Sequence, residues 1–193
     1  MEKQLEMEER LRIPKTRIGV IIGKGGKTKQ NLEELTQTNI HVDSKDGTVT
    51  IRTTEKTEDP LSAWKTKTII QAMGRGFSEK KAFLLLDEEY YLDIIELGGN
   101  EQQNRRIRSR VIGEKGKTRR IIEQNTGAKL AIFGGTISII GETEEVTRAK
   151  EAVRMLLKGV PHSVVYRHLQ AYRFREKLKP PELWKERSDL DLD

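Results

Sequence analysis

The chain carries the stretch Ile22-Gly23-Lys24-Gly25-Gly26-Lys27-Thr28, which returns 90 residues later as Ile112-Gly113-Glu114-Lys115-Gly116-Lys117-Thr118. Five of the seven positions are identical. The correspondence continues downstream, where residues 48–51 match residues 136–139. Self-similarity at a fixed spacing indicates a tandem duplication, here of a unit of about 75 to 85 residues. We call residues 23–26 the first turn and residues 113–116 the second turn.

Hydrophobic periodicity predicts the order of elements in the second unit. Apolar and β-branched runs favour strands, whereas Asn and Thr ahead of a periodic segment and Gly behind it mark the ends of helices. The expected elements are a strand at 91–97, a helix from Asn100 to Gly113, a helix from Gly116 to Gly127, a hairpin of strands at 129–133 and 136–140 around Gly134-Gly135, and a helix capped by Thr143.

The first unit shows the same order with weaker signals. The expected elements are a strand at 10–13, a short helix from Thr16, a helix at 27–36, strands at 40–43 and 48–53, and a helix capped by Asp59 with Pro60 in its first turn. Helical spacing places Leu61, Trp64, Thr68, Ile69 and Ala72 on the inner face of that last helix. Trp64 is therefore predicted to be a core residue.

A glycine turn between two helices, within the order strand–helix–helix–strand–strand–helix, resembles the type I KH domain, here present twice. The resemblance implies an α+β fold in which each domain has a three-stranded antiparallel sheet with helices on one face. The expected divisions are residues 9–76 for the first KH domain, 77–89 for a connector, 90–158 for the second KH domain, and 159–193 for a C-terminal helix and an acidic tail.

The glycine turns are suited to holding a phosphate. Glycine lets the backbone turn sharply and approach a ligand closely. Each turn leads into a helix N-terminus, whose unpaired N–H groups and positive dipole end favour an anion. Lysines in and beside the turns add positive charge. The resemblance implies that each turn clamps the backbone of single-stranded RNA or DNA, with bases in an adjacent apolar groove.

The RNA-binding residues expected from this reasoning lie in and around the two turns. In the first domain they are Gly23, Lys24, Gly25, Gly26, Lys27 and Lys29. In the second domain they are Arg108, Arg110, Ile112, Gly113, Glu114, Lys115, Gly116, Lys117, Thr118, Arg119 and Arg120, with Leu130 and Ile132 in the groove. For either copy, the alternative is a KH domain that only packs against a protein.

Basic charge is concentrated around the second turn. Residues 104–120 hold eight Arg and Lys residues and one acid, a net charge of +7 against +6 for the whole chain. The first turn has fewer basic neighbours, and Glu33, Glu34 and Asp43 follow it. Because phosphate contacts depend on local positive charge, we expect the second domain to bind RNA more strongly. The first domain is expected to assist it or to contact a protein.

Two segments lie outside the repeats. Gly74-Arg75-Gly76 is expected to be a flexible break, followed by a short helix from Ser78 whose apolar residues 82–86 pack between the domains and make one rigid body. An exposed partner site is the alternative for that apolar run. Residues 162–179 are predicted to form a basic amphipathic helix that packs on the body, with an extension of the RNA surface as the alternative.

Composition excludes several classes of protein. The chain has no apolar run long enough to span a membrane and no cysteine for disulfides or thiolate metal sites. The three histidines lack metal-ligand spacing, and neither a convergent carboxylate set nor a complete Walker loop is present. We therefore expect a cytoplasmic protein that is not an enzyme and has no metal or cofactor.

The paired KH-like units and the trailing Pro161-His162-Ser163-Val164-Val165-Tyr166 are similar to the archaeal family related to the eukaryotic rRNA-processing factor called partner of Nob-one, or Dim-two. That resemblance implies binding to the single-stranded 3′ end of small-subunit (16S) rRNA during ribosome biogenesis. The implied protein partners are the endonuclease that cuts there and the alpha subunit of translation initiation factor two. Alternatives are an RNA-decay factor, an mRNA-binding translational regulator and a protein-interaction scaffold.

Overall fold

The computed structural model describes residues 7–59 and 61–178, the side chains of residues 175–178 excepted. The first unit consists of β1 (Glu8–Arg12), α1 (Lys15–Ile22), α2 (Lys27–Thr36), β2 (Thr38–Val42), β3 (Thr48–Thr53) and α3 (Ser62–Gly74). A connector follows, with α4 (Glu79–Ala82) and a 3-10 turn (Phe83–Leu86). The second unit consists of β4 (Tyr91–Glu96), α5 (Glu101–Ile112), α6 (Lys117–Thr126), β5 (Lys129–Phe133), β6 (Thr136–Gly141) and α7 (Thr143–Leu157), followed by α8 (His162–Leu178).

The two units have the same sheet topology. The strand orders are β1-β3-β2 and β4-β6-β5, and all neighbouring strands are antiparallel. Cross-strand pairs such as Ile40 with Ile51, and Leu130 with Ile139, bring apolar side chains together on the face that the helices cover. The predicted α+β class, with two repeated units and a C-terminal helix, is confirmed.

The central strand of the second sheet, β6, is buried on both faces. Leu130 and Ile139 belong to the core that this sheet forms with its own helices. Ala131 and Ile140, on the opposite face, belong to the core of the first unit. Since successive side chains of a strand point to opposite faces, the two cores together bury every residue of β6.

The connector supplies much of the apolar surface between the units. Phe77, Ala82 and Leu85 are buried in the same core as Ala131 and Ile140. The prediction that this segment packs between the domains is confirmed, because its side chains contact a core that contains residues of both units.

The predicted flexible break at residues 74–76 is wrong. Gly76 has a φ of 108°, and a Cβ placed on it would lie 2.9 Å from the Cβ of Phe133. The guanidinium of Arg17 lies over the Phe133 ring, 5.7 Å from its centroid. Arg17 also donates hydrogen bonds to the carbonyl oxygens of Met73 and Phe77, at 2.8 and 2.5 Å. Residues 74–76 are therefore part of a packed junction.

Replacing Gly76 with valine tests this junction. Valine at a φ of 108° is strained, and its side chain would overlap Phe133. The two effects together should lower the free energy of unfolding by about 2–5 kcal/mol, measured by urea denaturation. Gly98→Val is the matched control, because nothing lies within 4 Å of a Cβ there. If the two variants have the same midpoint of urea denaturation, Gly76 is not closely packed.

Trp64 is not a core residue, contrary to the sequence-based prediction. Its side chain is 55% exposed, and that of Leu61 is 58% exposed. Ile69 and Ala72 are buried as predicted. The buried stripe of α3 also includes Ala63, Thr66, Ile70 and Met73. Leu61 and Trp64 therefore lie on a different face of α3 from the buried residues. Apolar periodicity in the sequence does not show which of the two faces is buried.

Several element ends differ from the predictions. β1 begins at Glu8 and ends at Arg12, and β2 begins at Thr38, two residues before its predicted start. Asp59 accepts a hydrogen bond from the backbone N–H of Leu61, which itself occupies the N-cap position of α3. At α7 the cap is Glu142 in a capping box, so Thr143 is the first helical residue. Charged and apolar caps of this kind are weaker sequence signals than Ser or Asn.

α8 packs on the second unit, as predicted. Val165 and Leu169 are fully buried in the second core. Asn100, also as predicted, caps α5 in a capping box with Gln103. The predicted end of the last helix at Lys179 and the predicted acidic tail lie outside the described residues.

Candidate nucleic-acid interface

The two turns have nearly identical backbones. Gly23 and Gly113 have φ, ψ angles of 73°, 176° and 72°, 175°. At the third position of the turn, Gly25 has a φ of 63° and Lys115 a φ of 48°. A lysine rarely adopts this left-handed conformation, so the second turn holds strain that the first avoids with glycine.

The first glycine of each turn is fixed by the helix that follows. A Cβ on Gly113 would overlap the hydroxyl of Thr118, and a Cβ on Gly23 would overlap that of Thr28. Both threonines are buried at the start of their helices. The backbone therefore turns directly against the N-terminus of α2 or α6.

Each of these threonines is held by a segment outside the six-element unit. The Thr28 hydroxyl donates to the Glu79 carboxylate of α4 at 2.7 Å. The Thr118 hydroxyl hydrogen-bonds the Tyr166 hydroxyl of α8, also at 2.7 Å. α4 and α8 thus occupy corresponding positions, each behind one glycine turn.

α8 and the residues before it also hold the helix that enters the second turn. Arg110 donates to the carbonyl oxygens of Leu156 and Val160 at 3.1 and 2.6 Å. The His162 Nε2 lies 2.9 Å from the carbonyl oxygen of Arg110. Arg110 was predicted to bind RNA, but the structure uses its guanidinium to fix α5 against the end of α7. Both helices that flank the second turn are therefore braced by this segment.

Four lysines of the predicted site are exposed. Lys24 and Lys27 lie at the first turn, and Lys115 and Lys117 lie at the second. Within the part of the chain that the structure describes, their ammonium groups have no hydrogen-bond or ion-pair partner. They are the groups best placed to neutralise a phosphate at either turn. Glu114 is exposed beside Lys115.

The other predicted cations are engaged within the chain. Arg108 donates to the Gly134 carbonyl oxygen and pairs with Glu101, both at 2.5 Å. The remaining pairs are Arg119 with Glu123 at 3.5 Å, Arg120 with the Lys115 carbonyl oxygen at 3.1 Å, and Lys29 with Glu33 at 3.1 Å. Each of these ion pairs has one partly exposed partner, so its stabilising contribution is modest and a phosphate can compete for the cation.

Two exposed cations were left out of the predicted site. Arg105 and Arg106 lie on the outer side of α5, and their side chains have no partner among the described residues. In the sequence, both arginines are visible as members of the basic run at residues 104–120. Helical phase alone did not show which arginines of that run face solvent.

The apolar residues divide into buried and accessible ones. Leu130 is fully buried in the second core and so presents no side-chain surface to a ligand. Ile132, two residues along the same face of β5, is partly exposed, and Ile112 is 36% exposed. Ile107 and Ile121, which sequence reasoning did not select, are also partly exposed. Apolar surface is thus available on α5, α6 and β5, the elements around the second turn.

Glu123 links the second unit to the connector. Burial opposes its ionisation, but the backbone N–H of Leu130 at 2.9 Å and the Lys81 ammonium at 3.1 Å outweigh this and lower its pKa. A carboxyl whose pKa is lowered on folding stabilises the fold at neutral pH, and that contribution is lost as the pH falls. Lys81 belongs to α4, so α4 contacts the helices that follow both turns.

Comparisons with known proteins agree with this geometry. Residues 8–59 match the family model described as KH domain, and residues 90–174 match one described as eukaryotic type KH-domain (KH-domain type I). A KH domain-containing protein of Methanocaldococcus jannaschii is 45% identical over 193 residues, which cover 98% of this chain and 83% of the relative. The chain belongs to the KH-domain family. The duplication inferred from the two turns is thus a pair of KH domains.

Solved structures extend the comparison. A chain in the crystal structure of the a/eIF2alpha-aDim2p-rRNA complex from Pyrococcus horikoshii is 46% identical, with a TM-score of 0.84 over 89% of this chain and 96% of the other. Dim2p from the same organism is 46% identical, with a TM-score of 0.80 over 86% and 99%. A protein of unknown function from Aeropyrum pernix is 32% identical, with a TM-score of 0.81 over 91% and 97%. The resemblance to the archaeal Dim-two family is confirmed.

Neither a membrane span nor a metal centre is found in the described part of this KH protein. No helix within residues 7–59 and 61–178 has the length and apolar character to cross a membrane. In the same residues, no three His, Cys, Asp or Glu side chains converge as metal ligands.

Proposed function

We propose that this chain binds the single-stranded 3′ end of 16S rRNA during maturation of the small ribosomal subunit. The second turn is the main clamp, and the first turn gives a weaker contact to the same strand. The observation that carries this proposal is the pair of exposed lysines, Lys115 and Lys117, which have no partner among the described residues and lie at a braced glycine turn that leads into α6. The likeness to a chain crystallised with rRNA supports the choice of RNA.

The second domain offers three features that a single strand requires. The N-terminus of α6 and the lysines of the turn attract a phosphate. Arg105 and Arg106 extend the positive charge along α5. The partly exposed Ile112 and Ile132 supply apolar surface against which unpaired bases can pack. No step in this function requires catalysis by the chain, which acts by holding the RNA in the cytoplasm.

The proposed protein partners follow from the same relatives. The alpha subunit of translation initiation factor two is named with Dim2p and rRNA in the crystal structure of the complex. We include it as a partner of this chain. The endonuclease that cuts the rRNA 3′ end is proposed on the resemblance to the Dim-two family alone. The proposed domain limits remain residues 9–76 and 90–158.

Crosslinking and sequencing of the bound RNA tests the function directly. The expected result is an accumulation of crosslinks at the 3′ end of 16S rRNA and its precursor. The chain with the second turn changed to Gly-Asp-Asp-Gly, by Glu114→Asp and Lys115→Asp, serves as the background sample. Crosslinks spread over messenger RNAs would instead favour a translational regulator, and crosslinks at decay intermediates would favour an RNA-decay factor.

The two turns should contribute unequally to RNA affinity. The change Lys24→Asp with Gly25→Asp is expected to weaken binding about two- to fivefold, less than the corresponding change in the second turn. The reason is the larger number of basic residues around the second turn. Matched salt titrations of the two variants by fluorescence anisotropy measure the difference. An equal or larger loss from the first turn would show that local charge does not set the order.

Removing one hydroxyl behind the second turn should also weaken binding. Tyr166→Phe deletes the hydrogen bond to Thr118 but keeps the ring, so the turn becomes less well fixed. We expect a loss of about three- to tenfold in RNA affinity with a change in unfolding free energy of about 1 kcal/mol. Tyr172→Phe removes a hydroxyl from the same helix away from the turn and is the control. Equal affinities for the two variants would contradict the bracing role.

A further inference from the structure

The first turn has a carboxylate at the start of the helix that follows it. The Thr28 hydroxyl donates to the Glu79 carboxylate at 2.7 Å. Thr28 is the second residue of α2, so the carboxylate lies beside the backbone N–H groups that begin this helix. A phosphate at the turn would use the same N–H groups and the same positive end of the helix dipole. Glu79 therefore places a charge of the same sign as the phosphate next to the candidate phosphate position.

The connector holds α4, and with it Glu79, against the start of α2. Glu79 is the first residue of α4, and Ala82 at the end of α4 is fully buried. Lys81 of the same helix pairs with Glu123 at 3.1 Å. Among the described residues, no cation lies within ion-pair distance of the Glu79 carboxylate, which has Thr28 as its hydrogen-bond partner. The negative charge of Glu79 is thus held in place without being neutralised by an ion pair.

The surroundings of Glu79 supply no net positive charge. A cleft of about 520 Å³ lies beside the first turn, and its lining consists of Lys24, Lys27, Thr28, Gln30, Asn31, Glu34 and Glu79. Two lysines and two carboxylates give this lining a formal charge of zero. The lysines of the first turn would therefore attract a phosphate against the repulsion of two carboxylates in the same cleft.

The second domain has a neutral group at the corresponding position. There the Thr118 hydroxyl hydrogen-bonds the Tyr166 hydroxyl, at the same distance of 2.7 Å. The 90-residue offset also pairs Glu34 with the neutral Gln124. The acid of the second turn, Glu114, is exposed in the turn itself. Two turns with nearly identical backbones thus differ in the charge of the group that lies behind them.

We propose that Glu79 opposes phosphate binding at the first turn and so directs the RNA strand to the second turn. This inference rests on the proposed function, because it assigns a cause to the unequal contributions of the two turns. Each turn offers two exposed lysines and leads into a helix of 10 residues. The group that contacts the threonine is charged in the first domain and neutral in the second. Glu79 acts through this charge and needs no contact with the RNA.

The test removes the charge of Glu79 and keeps its hydrogen bond. In Glu79→Gln the amide oxygen still accepts from Thr28, so the fold should be unchanged, as urea denaturation would verify. The change is made in the second-turn variant, Glu114→Asp with Lys115→Asp, so that the first turn becomes the main remaining contact. Affinity for a labelled single strand with the sequence of the 16S rRNA 3′ end is measured by anisotropy.

Glu79→Gln should raise the affinity of the second-turn variant about three- to tenfold, with the larger gain at low salt. The gain should disappear when Lys24→Asp and Gly25→Asp are added, because these changes remove the first turn as a phosphate site. Glu55→Gln is the matched control. It makes the same change in charge at an exposed position after Thr54, whose hydroxyl contacts the far end of α2, and should alter affinity by less than about twofold.

The second domain allows the reciprocal change. Tyr166→Glu should bind the strand about three- to tenfold more weakly than Tyr166→Gln, because both variants lose the tyrosine and one of them adds a charge. Equal affinities for these two variants would overturn the proposal. An unchanged affinity on Glu79→Gln would also overturn it, as would a gain that persists without the first turn. A second-turn variant that binds as tightly as the parent would instead contradict the proposed function, while the comparison of Glu79→Gln with its own background still decides the role of Glu79.

Discussion

The change Glu114→Asp with Lys115→Asp is expected to lower affinity for single-stranded RNA by about tenfold to a thousandfold. The variant replaces an exposed ammonium group with a carboxylate at the point where a phosphate would sit, so attraction becomes repulsion. Aspartate tolerates the left-handed backbone better than most residues, and position 115 has a φ of 48°. The fold should therefore remain intact, as circular dichroism and urea denaturation would show.

A charge control separates clamping from general electrostatics. Lys56→Asp makes the same change in net charge at an exposed position away from both turns. It should reduce affinity by no more than about twofold at moderate salt. If the turn variant and the Lys56 variant bind RNA equally well, the second turn is not the clamp.

Pairing the RNA target with a complementary strand is expected to reduce affinity by about 100-fold or more. A KH groove contacts the edges and faces of unpaired bases, and these are hidden in a duplex. The apolar side chains around the second turn, such as Ile132, would then have no base to contact. Anisotropy with labelled single strand and duplex of the same sequence measures the difference.

This comparison also distinguishes two kinds of binding. A duplex has a higher charge density than a single strand, so purely electrostatic binding would be equal or stronger for the duplex. Weaker binding to the duplex at every salt concentration is therefore the signature of base contacts. Equal affinity for the two forms would contradict the groove while leaving a phosphate contact at the turn in place.

The features that could be predicted from the sequence are those determined by residues close together in the chain. The glycine turns are predicted because the motif of residues 22–28 recurs 90 residues later, and in the structure Gly23 and Gly113 lie against the threonines of that motif. Asn100 was recognised as a helix cap because Asn at that position satisfies backbone N–H groups. The paired hairpin strands followed from β-branched runs on either side of Gly134-Gly135.

The parts that were missed depend on contacts between distant segments. The sequence predicts a flexible residue at Gly76, whereas in the structure the side chain of Phe133 packs against it from the other domain. The charge of Arg110 is visible in the sequence and predicts an RNA contact, whereas its hydrogen bonds to carbonyl oxygens 46 and 50 positions later are visible only in the structure. Trp64 was assigned to the core because α3 has two adjacent apolar stripes. Burial and hydrogen bonding at these positions depend on tertiary packing, so the local sequence does not indicate them.

The two copies of the repeat are no longer interchangeable. The outer face of the first sheet carries exposed Arg10, Arg12, His41 and Arg52, whereas the outer face of the second carries Ala131 and Ile140 in the shared core. Exchanging the two sheets would therefore bury arginines in the shared core and leave Ala131 and Ile140 open to solvent. Divergence after duplication has thus made each sheet specific to its own place in the molecule.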